Sequence, residues 1–190
     1  YNLRSVAKPI KTKSGEVLAD PILPVFGCIV NFSHEGVISR LNLLAENTKG
    51  YKNLLKLVSK AHTGQSDSDK EPTVSLELLR THSHGLIALT ACQKGLVGTL
   101  EAKGSSYEEI RSSVQVLANL FKDSFYLELQ DFSVENDDIL EDFEIEFINR
   151  QNRVNNTTVR IANELNIPLV ASNDCYYPEQ GGHEVQDYLI

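Results

Sequence analysis

The sequence predicts a single domain of the α/β class. Short apolar segments rich in β-branched residues alternate with longer amphipathic segments, giving the order strand, helix, strand, helix, strand. A chain of 190 residues, of which 41% are hydrophobic, is long enough to bury a core of its own. Strands separated by helices pair in parallel, and such folds bind ligands at the carboxyl ends of their strands. The residues that follow each strand are therefore the candidates for function.

Composition excludes several classes of protein. The three cysteines are odd in number and widely spaced, which favours a reducing compartment, and we expect a cytoplasmic protein. No apolar run approaches the roughly 18 residues of a membrane span, so no membrane association is expected. The net charge of −8 disfavours a surface that grips nucleic acid directly. The chain contains no Met, and its abrupt ends suggest a piece of a longer protein.

The first half of the chain predicts strands followed by a helix. Residues 1–23 have the pattern of an irregular lead-in, with one short hairpin around residues 13–16. The apolar segments 24–32 and 38–47 predict two strands. Asn47 then provides a helix cap, and the spacing of the leucines that follow predicts an amphipathic helix over 48–62.

The second half alternates helices with strands. Thr73 or Ser75 begins a short helix that Gly85 ends, and Ser105 or Ser106 caps a longer helix that runs to residue 121. The remaining elements predicted from periodicity are strands over 85–91, 125–130 and 167–173 and a helix over 151–165.

Polar and reactive side chains follow three of these strands. Cys92 comes after the strand 85–91, Asp131 follows the strand 125–130, and Asp174 and Cys175 follow the last strand. Since the carboxyl ends of parallel strands meet at one edge of a sheet, we expect these residues to lie near one another.

An acidic block interrupts this alternation. Residues 134–147 contain seven carboxylates. The block is interpreted as a solvated acidic surface or an acidic insertion over 132–149, because carboxylates without regular spacing do not define a cation site.

Five stretches of the sequence occur in the order LLAENTKGYKNLLKLVSKAH, HGLIALTACQKGLVG, FYLELQD, RVNNTTVRIANELNIPLVASND and HEVQDYLI. Together they resemble the PHP domain (polymerase and histidinol phosphatase) of bacterial replicative DNA polymerase III alpha subunits. The resemblance covers residues 24–190, and it implies a distorted barrel of seven alternating strands and helices, (β/α)7, joined to a much longer polymerase. Family members begin with strands carrying His-x-His and Asp-His, and residues 1–23 contain no histidine. The resemblance therefore implies a barrel that is incomplete at its N-terminus.

The same resemblance implies that the family's metal site is degenerate here. Three ligand positions of the family carry Ile29, Arg40 and Tyr176, which are an alkyl group, a permanent cation and a phenol. Cys92 and Asp174 match the family's remaining ligands and are predicted as vestigial metal positions. Two protein groups alone would hold a cation weakly.

Both matching residues also have ordinary structural interpretations. Cys92 at a strand end is typical of a small buried hydrophobic residue. Asp174 is in a position to cap the next turn or to pair with Arg40. No catalytic residue is assigned in this segment.

The function implied by the resemblance is DNA-directed DNA synthesis by the whole polymerase, a nucleotidyltransferase of DNA replication that uses Mg²⁺ held by residues beyond this segment. The segment itself is expected to bind no cofactor and to serve as a structural and docking domain. Its expected partners are the rest of the polymerase chain, the proofreading exonuclease subunit and other replisome subunits, with DNA contacted only through the full polymerase. The alternatives are a metal-dependent PHP phosphoesterase or exonuclease, and an interaction module unrelated to replication.

Overall fold

The computed structural model describes residues 10–11, 13–15, 17–19, 24–64, 71–132 and 141–173. The strands in these residues are β1 Ile10–Lys11, β2 Val17–Ala19, β3 Gly27–His34, β4 Val37–Ala45, β5 Thr73–Ser75, β6 Leu86–Leu89, β7 Phe125–Leu129 and β8 Leu169–Ala171. The α-helices are α1 Thr48–Thr63, α2 Leu76–His82, α3 Leu96–Ala102, α4 Tyr107–Phe121 and α5 Asp142–Leu165. No helix in these ranges is long and apolar enough to cross a bilayer.

Six strands form one mixed sheet in the order β5-β3-β4-β6-β7-β8, and β1 pairs with β2 in a separate hairpin. The pairs β3·β5, β6·β7 and β7·β8 are parallel, as the alternation of strands and helices predicts. Strand β4 runs antiparallel to both β3 and β6. The α/β class is thereby confirmed. Among the described residues the sheet is open, with β5 and β8 at its edges, so the expected closed barrel is not seen.

The turn between β3 and β4 explains the antiparallel part of the sheet. Glu35 and Gly36 both have positive φ, at 49° and 75°, and they form the two-residue connection of the hairpin. Two consecutive residues with positive φ give a turn whose twist matches that of the paired strands.

The two faces of the large sheet differ in what covers them. One face carries Phe32, Leu41, Leu43 and Leu127, each at most 1% exposed, and it contributes to one continuous core with residues of α1, α3, α4 and α5. The opposite face is more open, and on it Ile29 is 61% exposed. The helices therefore cover the first face, while the second face is left to form the wall of a cleft.

The predicted helix caps are confirmed. Asn47 precedes α1, and its side chain accepts hydrogen bonds from the backbone amides of Lys49 and Gly50 at 3.0 Å. Ser106 is the cap of α4 and forms a reciprocal capping box with Glu109. These hydrogen bonds also hold the pKa of Glu109 below its usual value.

Two helices differ from the sequence expectation. Helix α3 was not predicted, because Gly95 and Gly98 resemble helix breakers. Helix α5 begins at Asp142 rather than near Gln151, so the second part of the acidic block is helical. Carboxylates in the first turn of α5 interact favourably with the helix dipole, which explains why an acidic segment begins a helix. The expected insertion over 132–149 stays a prediction, and residues 133–140 lie outside the described residues.

Gly98 has a packing role that reverses the usual effect of glycine in a helix. A Cβ atom at this position would lie 2.4 Å from the backbone oxygen and 2.6 Å from the Cα of Gln93. We predict that Gly98→Ala lowers the free energy of unfolding by about 1–3 kcal/mol through this overlap, although alanine favours a helix. Urea unfolding followed by circular dichroism measures the change. The control is Gly104→Ala, which meets no atom within 4 Å and tests only the strain of its φ of 75°. An unchanged or higher stability of Gly98→Ala would contradict the packing role.

Candidate functional site

The carboxyl ends of β6, β7 and β8 meet at one edge of the sheet, as the sequence predicts. A cleft of about 710 Å³ lies there, and we call it the strand-end cleft. It is bordered by Ala91 after β6, Asp131 after β7 and Asn173 after β8. Ile29 and Arg40, from β3 and β4, line the same cleft. Two of the positions singled out by the family resemblance thus lie together at this site.

Glu128 lies in the wall of the strand-end cleft and is only 5% exposed. Its Oε2 accepts hydrogen bonds from Asn42 Nδ2 at 3.0 Å and from the backbone amide of Ala91 at 2.8 Å. Its Oε1 accepts a hydrogen bond from Ser172 Oγ at 2.5 Å. A carboxylate removed from water needs such donors, and here the protein supplies three of them.

Sequence reasoning missed Glu128. In the pattern FYLELQ the alternation of a strand places this glutamate on the face opposite Leu127, where a half-exposed sheet would leave it in solvent. In the structure both neighbouring strands are parallel to β7 and the ends of three strands surround the carboxylate. An acid within an otherwise apolar strand of a parallel sheet was the available signal.

Cys92 lies beneath the cleft rather than in its wall. The residue is 3% exposed, and its thiol donates to the backbone oxygen of Glu128 at 3.4 Å. The backbone turns sharply here, with positive φ at Ala91 and Cys92 of 54° and 46°. This geometry is that of a small buried side chain at a strand end, while the vestigial metal role of Cys92 stays a prediction.

Ile29 and Arg40 are close because of the register of the β3–β4 hairpin. Ile29 is opposite Asn42, and Arg40 is opposite Asn31 two residues further along the same face. The Arg40 side chain is exposed, and its backbone forms an isolated bridge with Gly95. An alkyl group and a guanidinium therefore line the cleft at the two positions where the family resemblance predicts metal ligands, and neither can donate an electron pair to a metal.

The last part of the predicted site is outside the described residues. This applies to Asp174, Cys175 and Tyr176, and hence to the expected pairing of Asp174 with Arg40. Asn173, the last described residue, borders the cleft. Within the described ranges no group of three His, Cys, Asp or Glu side chains is arranged to hold a metal ion.

The opposite wall of the cleft comes from α5 and the residues after β7. Phe132 and Phe147 pack edge to face with ring centroids 5.2 Å apart, and Phe147 is 46% exposed. Gln93 Nε2 donates to the backbone oxygen of Phe147 at 3.2 Å. Lys94 and Arg150 add two cations to this side. The cleft therefore combines carboxylates, cations and an aromatic surface.

Cys28 is on the same strand as Ile29 but does not have the character of a nucleophile. Burial raises the pKa of its thiol above the usual value, which keeps the thiol protonated near neutral pH.

A mixed α/β sheet with a polar cleft where its parallel strands end is the arrangement of an α/β domain with a ligand site at its strand ends, and comparison with protein families identifies which family it is. Residues 2–132 match the PHP domain model, so the chain belongs to the PHP domain family. The matched region includes residues of the N-terminal lead-in.

The chain is homologous to the PHP region of DNA polymerase III subunit alpha. It is 30% identical to the subunit of Rickettsia bellii (strain RML369-C) over 168 residues, which cover 88% of this chain and 13% of that protein. It is 32% identical to the subunit of Borreliella burgdorferi over 150 residues, covering 79% of this chain and 12% of the relative. The match to the Pseudomonas aeruginosa subunit covers 100% of this chain and 15% of the relative at 29% identity. The chain thus spans only a small part of the length of these relatives.

Glu128 provides a test of the hydrogen-bond network at the strand ends. We predict that Glu128→Ala lowers the free energy of unfolding by about 3 kcal/mol, because three donors lose their common acceptor. Glu128→Gln keeps the shape and one acceptor oxygen, so its loss is expected to be smaller. Urea unfolding compares both with Glu77→Ala, which removes an exposed acid in the first turn of α2.

A second comparison isolates one hydrogen bond of this network. Ser172→Ala combined with Glu128→Ala is expected to cost less than the sum of the two single changes, because both remove the same hydrogen bond. Strict additivity of the two changes would show that this hydrogen bond contributes nothing to stability.

Proposed function

We propose that this chain is the PHP domain of a bacterial DNA polymerase III alpha chain and acts there as a structural and docking domain with a degenerate, metal-free site. The polymerase performs template-directed DNA synthesis in the cytoplasm, with Mg²⁺ bound by residues outside this chain. The proposal rests on the homology to DNA polymerase III alpha subunits together with the composition of the strand-end cleft.

One observation favours a degenerate site: the side chains of Ile29 and Arg40 line the cleft wall. A guanidinium repels a cation, and an alkyl group cannot replace a lost oxygen ligand. Glu128 does not compensate, because both of its oxygens already accept hydrogen bonds from the protein. The residues described here therefore do not fit a bound metal, and a metal-dependent phosphoesterase or exonuclease is the less favoured alternative.

The exposed face of the sheet supports a more complete barrel than the described strands form. Ile29 and Ile38 on this face are 61% and 57% exposed, which is costly for two isoleucines. Further strands packed across this face would bury both side chains and close the sheet, which is the seven-stranded arrangement that the family resemblance implies. In this arrangement the domain joins the remainder of the polymerase chain, and its outer surface is available to a proofreading exonuclease subunit.

The polymerase assignment is tested with the protein encoded by the whole reading frame that contains this segment. We expect that protein to extend a primer on a DNA template in the presence of Mg²⁺ and to stop when the ion is chelated. Deleting this segment is expected to reduce activity through loss of stability, so the deleted protein is also assayed for its unfolding temperature. A reading frame without a polymerase region, or a product without primer extension, would refute the assignment.

Metal content tests the degenerate site separately. We predict less than about a tenth of an ion per chain attributable to this segment, because too few ligands remain to hold a cation. Elemental mass spectrometry compares the whole protein, dialysed without chelator, with a version that lacks this segment. One or more ions that are lost in Asp174→Ala would instead establish the phosphoesterase alternative.

A further inference from the structure

Helix α1 presents a row of lysines to solvent. Every lysine of this helix is exposed, and the helix contains no aspartate or glutamate. Each of the other α-helices in the described residues carries at least one acid. Since the chain has 26 acidic and 18 basic residues, α1 is a local concentration of positive charge in an acidic protein. Its lysines are Lys49, Lys52, Lys56 and Lys60.

The row of lysines does not stabilise the helix that carries it. Lys52, Lys56 and Lys60 follow one another at i, i+4 spacing, where like charges repel. Lys49 is in the first turn, near the positive end of the helix dipole, where a cation is unfavourable. The ion pairs among the described residues involve His34, Arg111 and Arg160, and none of them includes a lysine of α1. The demands of folding therefore do not account for the row.

Exposed apolar side chains lie beside these lysines. Tyr51 and Leu55 are one turn apart on the same side of α1, and they are 40% and 51% exposed. Phe26, which precedes β3, packs against Tyr51 with ring centroids 5.2 Å apart and is itself 37% exposed. We call these three apolar side chains and the four lysines the α1 face. Apolar surface rimmed by polar groups is typical of a site that binds another molecule.

We infer that the α1 face docks a segment of a separate partner protein that carries acidic side chains and apolar anchors. The carboxylates of that segment pair with the lysines, and its apolar side chains cover Phe26, Tyr51 and Leu55. We rest this on the docking part of the proposed function, to which it adds a surface and the chemistry of the partner.

Two other kinds of ligand fit the α1 face less well. A bilayer requires a helix with a large free apolar face, and here Leu54 and Leu57 are already buried in the core of the domain. Nucleic acid would pair with the lysines, but the aliphatic side chain of Leu55 offers a base neither a hydrogen bond nor a ring for stacking. An acidic segment with apolar side chains uses both parts of the surface.

The composition of the α1 face also favours a partner that binds reversibly. Permanent interfaces are largely apolar, and lysine is depleted in their centres. Four lysines around three partly exposed apolar side chains are therefore unlike a surface packed permanently against another domain of the same chain. A second copy that docked through the same face would bring like charges together.

The experiment uses the protein encoded by the whole reading frame and a fluorescent synthetic peptide of about 15 residues. The peptide is an amphipathic helix with glutamates on one face and leucine and phenylalanine on the other. Binding is measured by anisotropy at several salt concentrations. We expect Lys52→Gln with Lys56→Gln to weaken binding about threefold or more and to reduce its dependence on salt. Leu55→Gln should weaken binding about threefold or more and leave the dependence on salt unchanged.

Matched controls remove the same kinds of group elsewhere on the surface. Lys103→Gln with Lys122→Gln removes two exposed lysines, and Phe143→Gln removes an apolar side chain that is 69% exposed. We expect each control to alter binding by less than about twofold. A peptide with alanine in place of leucine and phenylalanine should bind about fivefold more weakly or worse. Circular dichroism verifies that each variant is folded.

Several results would overturn the inference. These are absence of binding at low salt, equal weakening by a control and its matched variant, and tighter binding of duplex DNA or of vesicles of phosphatidylserine and phosphatidylcholine. Self-association that Leu55→Gln abolishes would make a second copy the occupant. Binding by the 190-residue chain but not by the whole protein would show that the rest of the longer chain covers the α1 face. Each of these results leaves the polymerase assignment intact, because primer extension tests it separately.

Discussion

The carboxylate of Glu128 connects four neighbouring strands at one edge of the sheet. Glu128 belongs to β7, and its three donors come from Asn42 on β4, from Ala91 after β6 and from Ser172 after β8. Burying a carboxyl group is unfavourable unless it is hydrogen-bonded, so these donors contribute to the stability of the fold. The spacing of the strand ends, and hence the shape of the cleft, is therefore set by hydrogen bonds within the protein.

The two faces of the sheet differ in their environment: one is packed in the core and the other lines the cleft. The face with Phe32, Leu43 and Leu127 is packed by helices and supplies the apolar burial that stabilises the domain. The other face is free of that requirement, so it accommodates Arg40 and the open side chain of Ile29. Neither Ile29 nor Arg40 is part of the packed core, so the fold places little constraint on either side chain.

Periodicity predicted the elements in which local pattern and tertiary packing agree. The strands β3, β4, β6, β7 and β8 and the helices α1 and α4 follow from it, together with their caps at Asn47 and Ser106. Helix α3 was missed because Gly98 is required by its close approach to Gln93, a packing constraint that propensity does not contain. The convergence of strand ends was predictable from parallel pairing. The role of Glu128 was not predictable from the sequence. Strand alternation alone does not show that the ends of three strands surround its side chain.

Arg40 lines the cleft at a position where the family resemblance predicts a metal ligand, and a guanidinium there disfavours a bound cation. A metal site collects carboxylates and neutral donors so that a cation is favoured, and a guanidinium in the same wall opposes it. Here Arg40, Lys94 and Arg150 line the cleft together with Asp131 and Glu128, and Glu128 already accepts three hydrogen bonds from the protein. The described cleft therefore places cations beside carboxyl groups, and it lacks the purely acidic lining that favours a bound cation.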